Sequence, residues 1–357
     1  MNSSSTGGAS GNPTPTGPAP FFSVIITAYD RPRFLPEAID SVLAQTAPRA
    51  SYEIIVVKNF ADAASDRRIQ EHGLVGIYRT ERPLGVHLKS ALDRVRGEVV
   101  ALLNDDDLWE PERLAYLQGR FAADGRLGFH ATSYTVVDEE NRPLRAAQDR
   151  FTAVARFQTQ PGAIFRVGPG APPDSLDRFA EANPGSDSTI SIRSDILRRF
   201  GPELADLPSS VDTFMLTCGF LSGLDLEIEY RPLTRLRVHP QNMSRATNAS
   251  FRPYLTKYAQ TMGGFAAATA HMLRMADAQK DPWLHQRLET KFRSLDHFAR
   301  MAQGTLARPE AFSAAREELK HSGLAHPGLL GSELLYVASP SLSRVVNFLV
   351  GRRIAGA

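Results

Sequence analysis

The sequence predicts an α/β fold: a mostly parallel sheet flanked by helices, followed by a helical C-terminal appendage. Three observations carry this. First, short apolar runs rich in β-branched residues recur at 22–28, 53–57, 75–78 and 99–103. Continuous apolar runs suit strands covered on both faces. Second, helical spacing falls between them: Leu35, Ile39, Val42 and Leu43, then a stretch near 64–72, then Leu88, Leu92 and Val95. Strands alternating with helices over short links give parallel pairing with helices on both faces. Third, polar clusters sit at the carboxyl ends of the strands: Thr27-Ala28-Tyr29-Asp30, Lys58-Asn59 and Asn104 to Asp107. Ligands of such sheets bind there.

The remaining elements follow in order. Pro111 opens a helix, since its missing N–H costs nothing in a first turn. Pro, Gly and Asp crowd residues 140–185, which read as one long loop. Thr189 to Ile192 is a candidate strand, Val211 to Leu221 a helix, and Leu233 to Val238 an extended segment ending in His239-Pro240-Gln241-Asn242. Beyond 251 the pattern is helical at 254–278, 283–303 and 309–320. The expected partition is a disordered leader (1–20), an α/β domain (21–250) and a helical C-terminal region (251–357).

Composition narrows the function. The 357 residues hold 41 Lys/Arg against 39 Asp/Glu, a net charge of +2, so nothing argues for a nucleic-acid partner. A single cysteine, Cys218, excludes a disulfide scaffold and a Cys-rich zinc site. No run of about 18 apolar residues suggests a transmembrane helix. The uncharged Ser/Thr/Gly/Pro leader lacks both the basic start and the apolar core of a signal peptide, so a cytoplasmic location is expected. Residues 251–357 carry 14 basic and 8 acidic side chains, leaving 27 and 31 in residues 1–250. Leu329 to Ile354 mixes apolar residues with Arg344, Arg352 and Arg353. It suits an amphipathic helix packed on its own domain, or peripheral contact at the inner face of a membrane.

Three consecutive carboxylates at the end of a buried strand repel one another unless a cation neutralises them or they splay into water. Hard oxygen ligands suit Mg²⁺ or Mn²⁺. An acidic turn capping the next helix accounts for one Asp, not three.

Four stretches carry a family resemblance. They are Ser23-Val-Ile-Ile-Thr-Ala-Tyr-Asp-Arg-Pro32, Ala38-Ile-Asp-Ser-Val-Leu-Ala-Gln-Thr46, Glu53-Ile-Ile-Val-Val57 and Gly97-Glu-Val-Val-Ala-Leu-Leu-Asn-Asp-Asp-Asp-Leu-Trp-Glu-Pro-Glu-Arg-Leu114. In this order they resemble the family 2 glycosyltransferases, and Arg237-Val-His-Pro-Gln-Asn-Met-Ser244 resembles the end of that catalytic domain. The resemblance implies the GT-A fold, with a Rossmann-like sheet, a nucleotide-sugar half (21–135) and an acceptor half (136–250). It implies an inverting, metal-dependent enzyme that uses Mn²⁺ or Mg²⁺. The donor would be a nucleotide-diphosphate sugar, and the acceptor a glycan, a lipid-linked molecule or a small molecule.

Site residues carry over one by one. Thr27, Ala28, Tyr29 and Asp30 fall where the family lines the nucleotide. Asn59 stands where a base-reading aspartate is usual, and its amide can both donate and accept. Lys89 falls where a basic residue often lies near the diphosphate. Asn104 takes the first acidic position of the Asp-x-Asp pattern. Asp105 and Asp106 follow as ribose and metal contacts, with Asp106 the preferred metal ligand. Asp107 is expected to bond backbone, and Trp109 to pack beneath the loop. Asp212, in Ser209-Ser-Val-Asp-Thr-Phe214, is the expected general base, with Val211 replacing the usual Glu; Asp187 and Asp206 are weaker candidates. His239 is the expected further metal ligand, and Arg237 and Asn242 would support phosphates or order their loop. Two rivals remain. A sugar nucleotidyltransferase would normally carry a Gly-rich loop after its first strand, and Tyr29-Asp-Arg-Pro32 has no Gly. A sugar-nucleotide binding module without turnover would explain the changes at Asn59, Asn104 and Val211.

Overall fold

The computed structural model describes residues 18–81, 83–145, 162–183, 185–239, 242 and 251–313, with isolated positions 336, 339, 340 and 343. Residues 1–17 of the expected leader, 314–320 of the last expected helix, and most of Leu329–Ile354 lie outside the described residues.

The elements run β1 (Phe22–Ala28), α1 (Leu35–Leu43), β2 (Tyr52–Lys58), α2 (Ala63–Glu71), β3 (Val75–Tyr78), α3 (Leu84–Leu92), β4 (Val99–Asn104), β5 (Leu108–Trp109) and α4 (Arg113–Ala123). There follow β6 (Leu127–Val137), β7 (Ile164–Val167), α5 (Pro173–Ala182), β8 (Ile190–Arg193), α6 (Ser194–Arg199), α7 (Val211–Phe220), β9 (Asp225–Arg237), α8 (Phe251–Gln279) and α9 (Pro282–Gln303). One sheet takes the order β3-β2-β1-β4-β8-β6-β9-β5, with β7 also paired to β9. The β3-β2-β1-β4 half is parallel throughout. On the other side β8 runs antiparallel to β4 and β6, β6 and β9 pair in parallel, and β5 and β7 lie antiparallel on β9.

The parallel strands are apolar on both faces because both faces are covered. Val24 and Ile26 of β1 pack with Leu35, Ile39, Leu114 and Phe121. Ile25, between them, faces the opposite core with Leu88, Phe129, Ile190 and Phe214. Met272, Met275 and Ala276 of α8 and Leu284 and Leu288 of α9 join this second core. The C-terminal helices are therefore built into the sheet's own hydrophobic interior. β1 is followed by β2 on one side and flanked by β4 on the other, so the strand order reverses there. Thr27 pairs with Asn104 across this switch point, where α/β sheets open a ligand crevice.

The structure revises or extends the sequence reading at four points. The 140–185 stretch is not one loop, because β7 and α5 lie inside it. β7 is a half-exposed strand at the sheet margin, and α5 begins on Pro172-Pro173, whose composition reads as a turn although Pro suits a helix start. Strand β6 was not anticipated, because its buried His130, Thr132 and Ser133 break the apolar run. The extended segment at 233–238 is the end of a 13-residue strand, β9. The helix after Pro111 starts at Arg113.

Buried polar residues of β6 and β9 meet beneath α4. The His130 Nε2 lies 3.3 Å from Glu227 and 3.6 Å from Glu229. Arg120 and Arg166 also face Glu227, while Tyr116 and Arg231 bond Glu229. Arg166 is shared with Asp124 and Asp225, so Arg120 faces Glu227 and Arg231 faces Glu229 as their nearest cations. This group is an internal ion cluster.

Candidate active site

The site grows from the turn after β4. The Asp105 N–H donates to the Thr27 carbonyl (3.1 Å) and the Asp107 N–H to the Asn104 carbonyl (3.2 Å), which ties the acidic turn to the end of β1. The three carboxylates then take separate directions. Asp105 is fully buried and accepts the Arg31 Nη2–H at 2.5 Å. Burial, partly opposed by Arg31, pushes its carboxyl well above the usual range. Asp107 is also buried. It accepts the Ser188 hydroxyl (2.6 Å) and the Arg237 N–H (2.9 Å). Burial and then the Asp106 charge push its carboxyl up to about 7.

Asp106 and Asp107 both line the open space, and Asp106 meets the side chains that converge there. Its Oδ2 meets the Arg31 Nη1, the His239 Nε2 (3.1 Å) and the Asn242 Nδ2 (3.1 Å). Burial pushes this group up, but the hydrogen bond to His239 and the Arg31 charge outweigh it and hold the carboxyl below its ordinary value. His239 is itself buried against the Phe34 ring, with centroids 4.8 Å apart. Adjacent ligands of an octahedral ion held at about 2.1 Å stand about 3 Å apart. The 3.1 Å between the Asp106 oxygen and the His239 nitrogen matches that spacing. A carboxylate and a neutral imidazole also form a suitable donor pair for Mn²⁺ or Mg²⁺.

These residues line one side of a cleft of about 500 Å³, within the size range of small-molecule sites. Thr27, Ala28, Tyr29, Asn104, Asp106 and Asp212 all line it. Asp105 lies beneath it and His239 behind Asp106; neither is part of the lining. Asp30 and Asn59 are also outside the lining and pair with each other. The Asp30 N–H donates to the Asn59 Oδ1 (2.8 Å), and the Asn59 Nδ2 donates to the Asp30 carboxylate (2.7 Å). This double bond holds Asp30 in a left-handed conformation, φ 58°, which an Asp tolerates better than most residues. The Asn59 amide is thereby committed to the turn. Lys89 is not in the lining. His87, two residues earlier on α3, is, and its ring lies 5.7 Å from that of Tyr29. Two residues on a helix stand about 200° apart, so His87 facing the cleft turns Lys89 away. Gly85 allows this placement: a Cβ there would lie 2.0 Å from the Leu204 carbonyl oxygen.

The opposite wall comes from the start of α7. Ser210 takes φ 58° at the helix entrance and Asp212 follows in the first turn. Asp187 lines the cleft beside it. Burial and then the Asp212 charge push the Asp187 carboxyl well above the carboxylate range. The C-terminal helices complete this wall. Phe265 of α8 lines the cleft, and Lys291 of α9 donates to the Thr213 hydroxyl at 3.0 Å. Arg237, also lining the cleft, is buried over the Phe34 ring and bonded to Glu37 (2.7 Å) and Asn141 (2.8 Å). Asp187 was a weaker candidate base; sequence reasoning did not assign Arg31, His87, Tyr134 or Phe265 to the lining. Only Arg31, inside a motif already singled out, had a local signal.

Residues 23–172 match the family model described as Glycosyl transferase family 2. The matched segment is less than half of the chain, and this family is what it is similar to. A putative teichuronic acid biosynthesis glycosyltransferase, TuaG, of Bacillus subtilis is 27% identical over 165 residues, 44% of this chain and 63% of that protein. An uncharacterized glycosyltransferase of Nostoc sp. is 35% identical over 101 residues, 26% of this chain and 30% of that one. The chain thus spans less than two thirds of the length of these curated relatives. Among solved structures, the mannosyltransferase PcManGT of Pyrobaculum calidifontis aligns over 94% of this chain and 89% of its own, with TM-score 0.51 and 16% identity. At that identity the likeness is one of fold, the GT-A architecture. Among the described residues no helix is long and apolar enough to cross a membrane.

Proposed function

We propose that this protein is a family 2 glycosyltransferase that moves a sugar from a nucleotide-diphosphate donor to an acceptor hydroxyl with inversion. In this reading Asp106 and His239 hold Mn²⁺ or Mg²⁺, and Asp212 is the general base. The observation that carries the reading is the single cleft lined by Asp106 on one wall and Asp212 on the other. The neighbour PcManGT was solved with GDP-Man and Mn²⁺, which supports the same donor and metal class here. When bound, the divalent ion would supply positive charge to the departing diphosphate.

The chain's own residues do the rest. Thr27, Tyr29 and His87 form the nucleotide wall, and Asn104 and Asp105 lie below it on the ribose side. Asp212 accepts the acceptor hydroxyl's proton as the new C–O bond forms at the anomeric carbon. The bond to the diphosphate oxygen breaks in the same displacement, and the electron pair leaves on that oxygen. Asp187 lines the cleft beside Asp212, and burial and then the Asp212 charge push its carboxyl well above the carboxylate range. Glycans, lipid-linked molecules and small molecules remain the acceptor classes, with Phe265 and Lys291 on the acceptor side. Asp212→Asn is expected to bind donor like the wild type while transfer falls about 10²–10⁴-fold, the usual loss of general-base catalysis. Near-native turnover would reassign the base.

A further inference from the structure

We propose that Arg31 is a diphosphate-binding residue that occupies the cation's place on Asp106 until donor and metal arrive. The proposal rests on the glycosyl-transfer reading above.

The left-handed turn at Asp30 sends the chain back over the acidic turn as β1 ends. The Arg31 guanidinium therefore lies on the carboxylates, with Nη2 on Asp105 at 2.5 Å and Nη1 on Asp106. Its side chain is 14% exposed and lines the cleft. The decisive feature is crowding at one atom. The Asp106 Oδ2 that Arg31 bonds is the same oxygen that faces the His239 Nε2 and the Asn242 Nδ2. A carboxylate oxygen has two lone pairs. With Arg31 and Asn242 both donating to it, no lone pair is left for a metal ion, whichever role the His239 ring nitrogen takes. The donor that must yield is the one carrying a full like charge, and that is Arg31.

Arg31 also has somewhere to go. Asp105 is fully buried and keeps its bond to Nη2, so it anchors the guanidinium while Nη1 is freed. The Arg31 Nε has no partner either. A planar fork that fits a carboxylate pair fits a phosphate equally well. Exchange of one acid, Asp106, for a diphosphate oxygen moves a positive charge onto the leaving group as the metal takes Asp106. The arrangement makes metal binding weak before donor arrives and tight with it.

The test is Mn²⁺ binding to nucleotide-free protein, read by electron paramagnetic resonance of the free ion. Arg31→Met is expected to bind Mn²⁺ about 10-fold more tightly than the wild type, and to bind a nucleoside diphosphate about 10-fold more weakly at saturating Mn²⁺. Arg31→Lys, which keeps a charge near buried Asp105, covers the case that the Met variant fails to fold. It should show both changes at about a third of the size. In the wild type, the ¹⁵Nε–Hε resonance of Arg31 should shift when Mg²⁺ is added. Folded variants that bind Mn²⁺ no more tightly than the wild type, or an unmoved Arg31 resonance under saturating Mg²⁺, would overturn the proposal. Asp106→Ala separates the two readings. Mn²⁺ binding unchanged by that substitution would remove the metal site itself, and with it this inference. Binding that needs Asp106 but ignores Arg31 would remove only the inference.

Discussion

Ser188 is the pin that joins the acceptor-side turn to the acidic turn, and its removal has a cost that the structure sets. The side chain is fully buried. Its Oγ accepts the Asn104 N–H at 3.0 Å and donates to the Asp107 carboxylate at 2.6 Å. Ser188→Ala loses a hydrogen bond to a charged group, worth about 1.5–3 kcal/mol, and orphans a buried amide at about 1–3 kcal/mol. The gap left is one oxygen, too small for a water to repair. A loss of about 3–5 kcal/mol is expected at pH 8. The pH dependence gives a second check. Asp107 rises from 3.8 to about 7 on folding, so the folded chain holds this proton more tightly than the unfolded one. The cost of ionising it is absent below about pH 4, grows as pH rises, and is complete above about 7. Ser188 supports the ionised form, so the variant's deficit should be larger at pH 8 than at pH 5. Urea unfolding at both values, with unchanged slope, measures it. A loss below about 1 kcal/mol, or one equal at the two pH values, would refute the reasoning.

Other outcomes follow from the same accounting. Arg113 is fully buried with no carboxylate partner, and burial lowers it to about 9. Its compensation is a bond to Thr132 at 2.5 Å and the Trp109 ring at 4.8 Å. Arg113→Met should leave the urea midpoint equal to or above the wild type's, by up to about 2 kcal/mol. Burial works against ionised Glu229, but His130, Tyr116 and Arg231 hold it down to about 2. The stability it contributes is complete above about pH 4.5 and is lost as pH falls through 2, so Glu229→Gln should flatten the acid limb of a stability–pH curve. Gly85→Ala places a Cβ against the Leu204 carbonyl and should cost at least about 2 kcal/mol in a melting experiment, because backbone must move.

The parallel half of the sheet was legible because each of its strands is covered on both faces and so reads as an apolar run. Strand β6 was not. His130 and Thr132 are buried beside groups on α4 and β9, Arg113 on Thr132 and Glu227 beside His130. No local pattern announces a partner that far away. The same limit governs the site. The triplet Asp105-Asp106-Asp107 was visible, but its division of labour is set by Arg31, Ser188, Arg237 and His239, which lie 74 to 133 residues away. Lys89 was placed by motif distance alone, which does not register helix phase, and the phase puts His87 in the cleft instead. Asn59 looked like a base-reading residue, yet its amide is taken up by the Asp30 turn.

The most direct test of a single displacement driven by Asp212 is the configuration of the product. Proton NMR on a glycoside formed from an α-linked nucleotide sugar reads it from the anomeric coupling. The account predicts a β-linked product as the first species formed. An α-linked product would require a second displacement or a front-side route, and would contradict it.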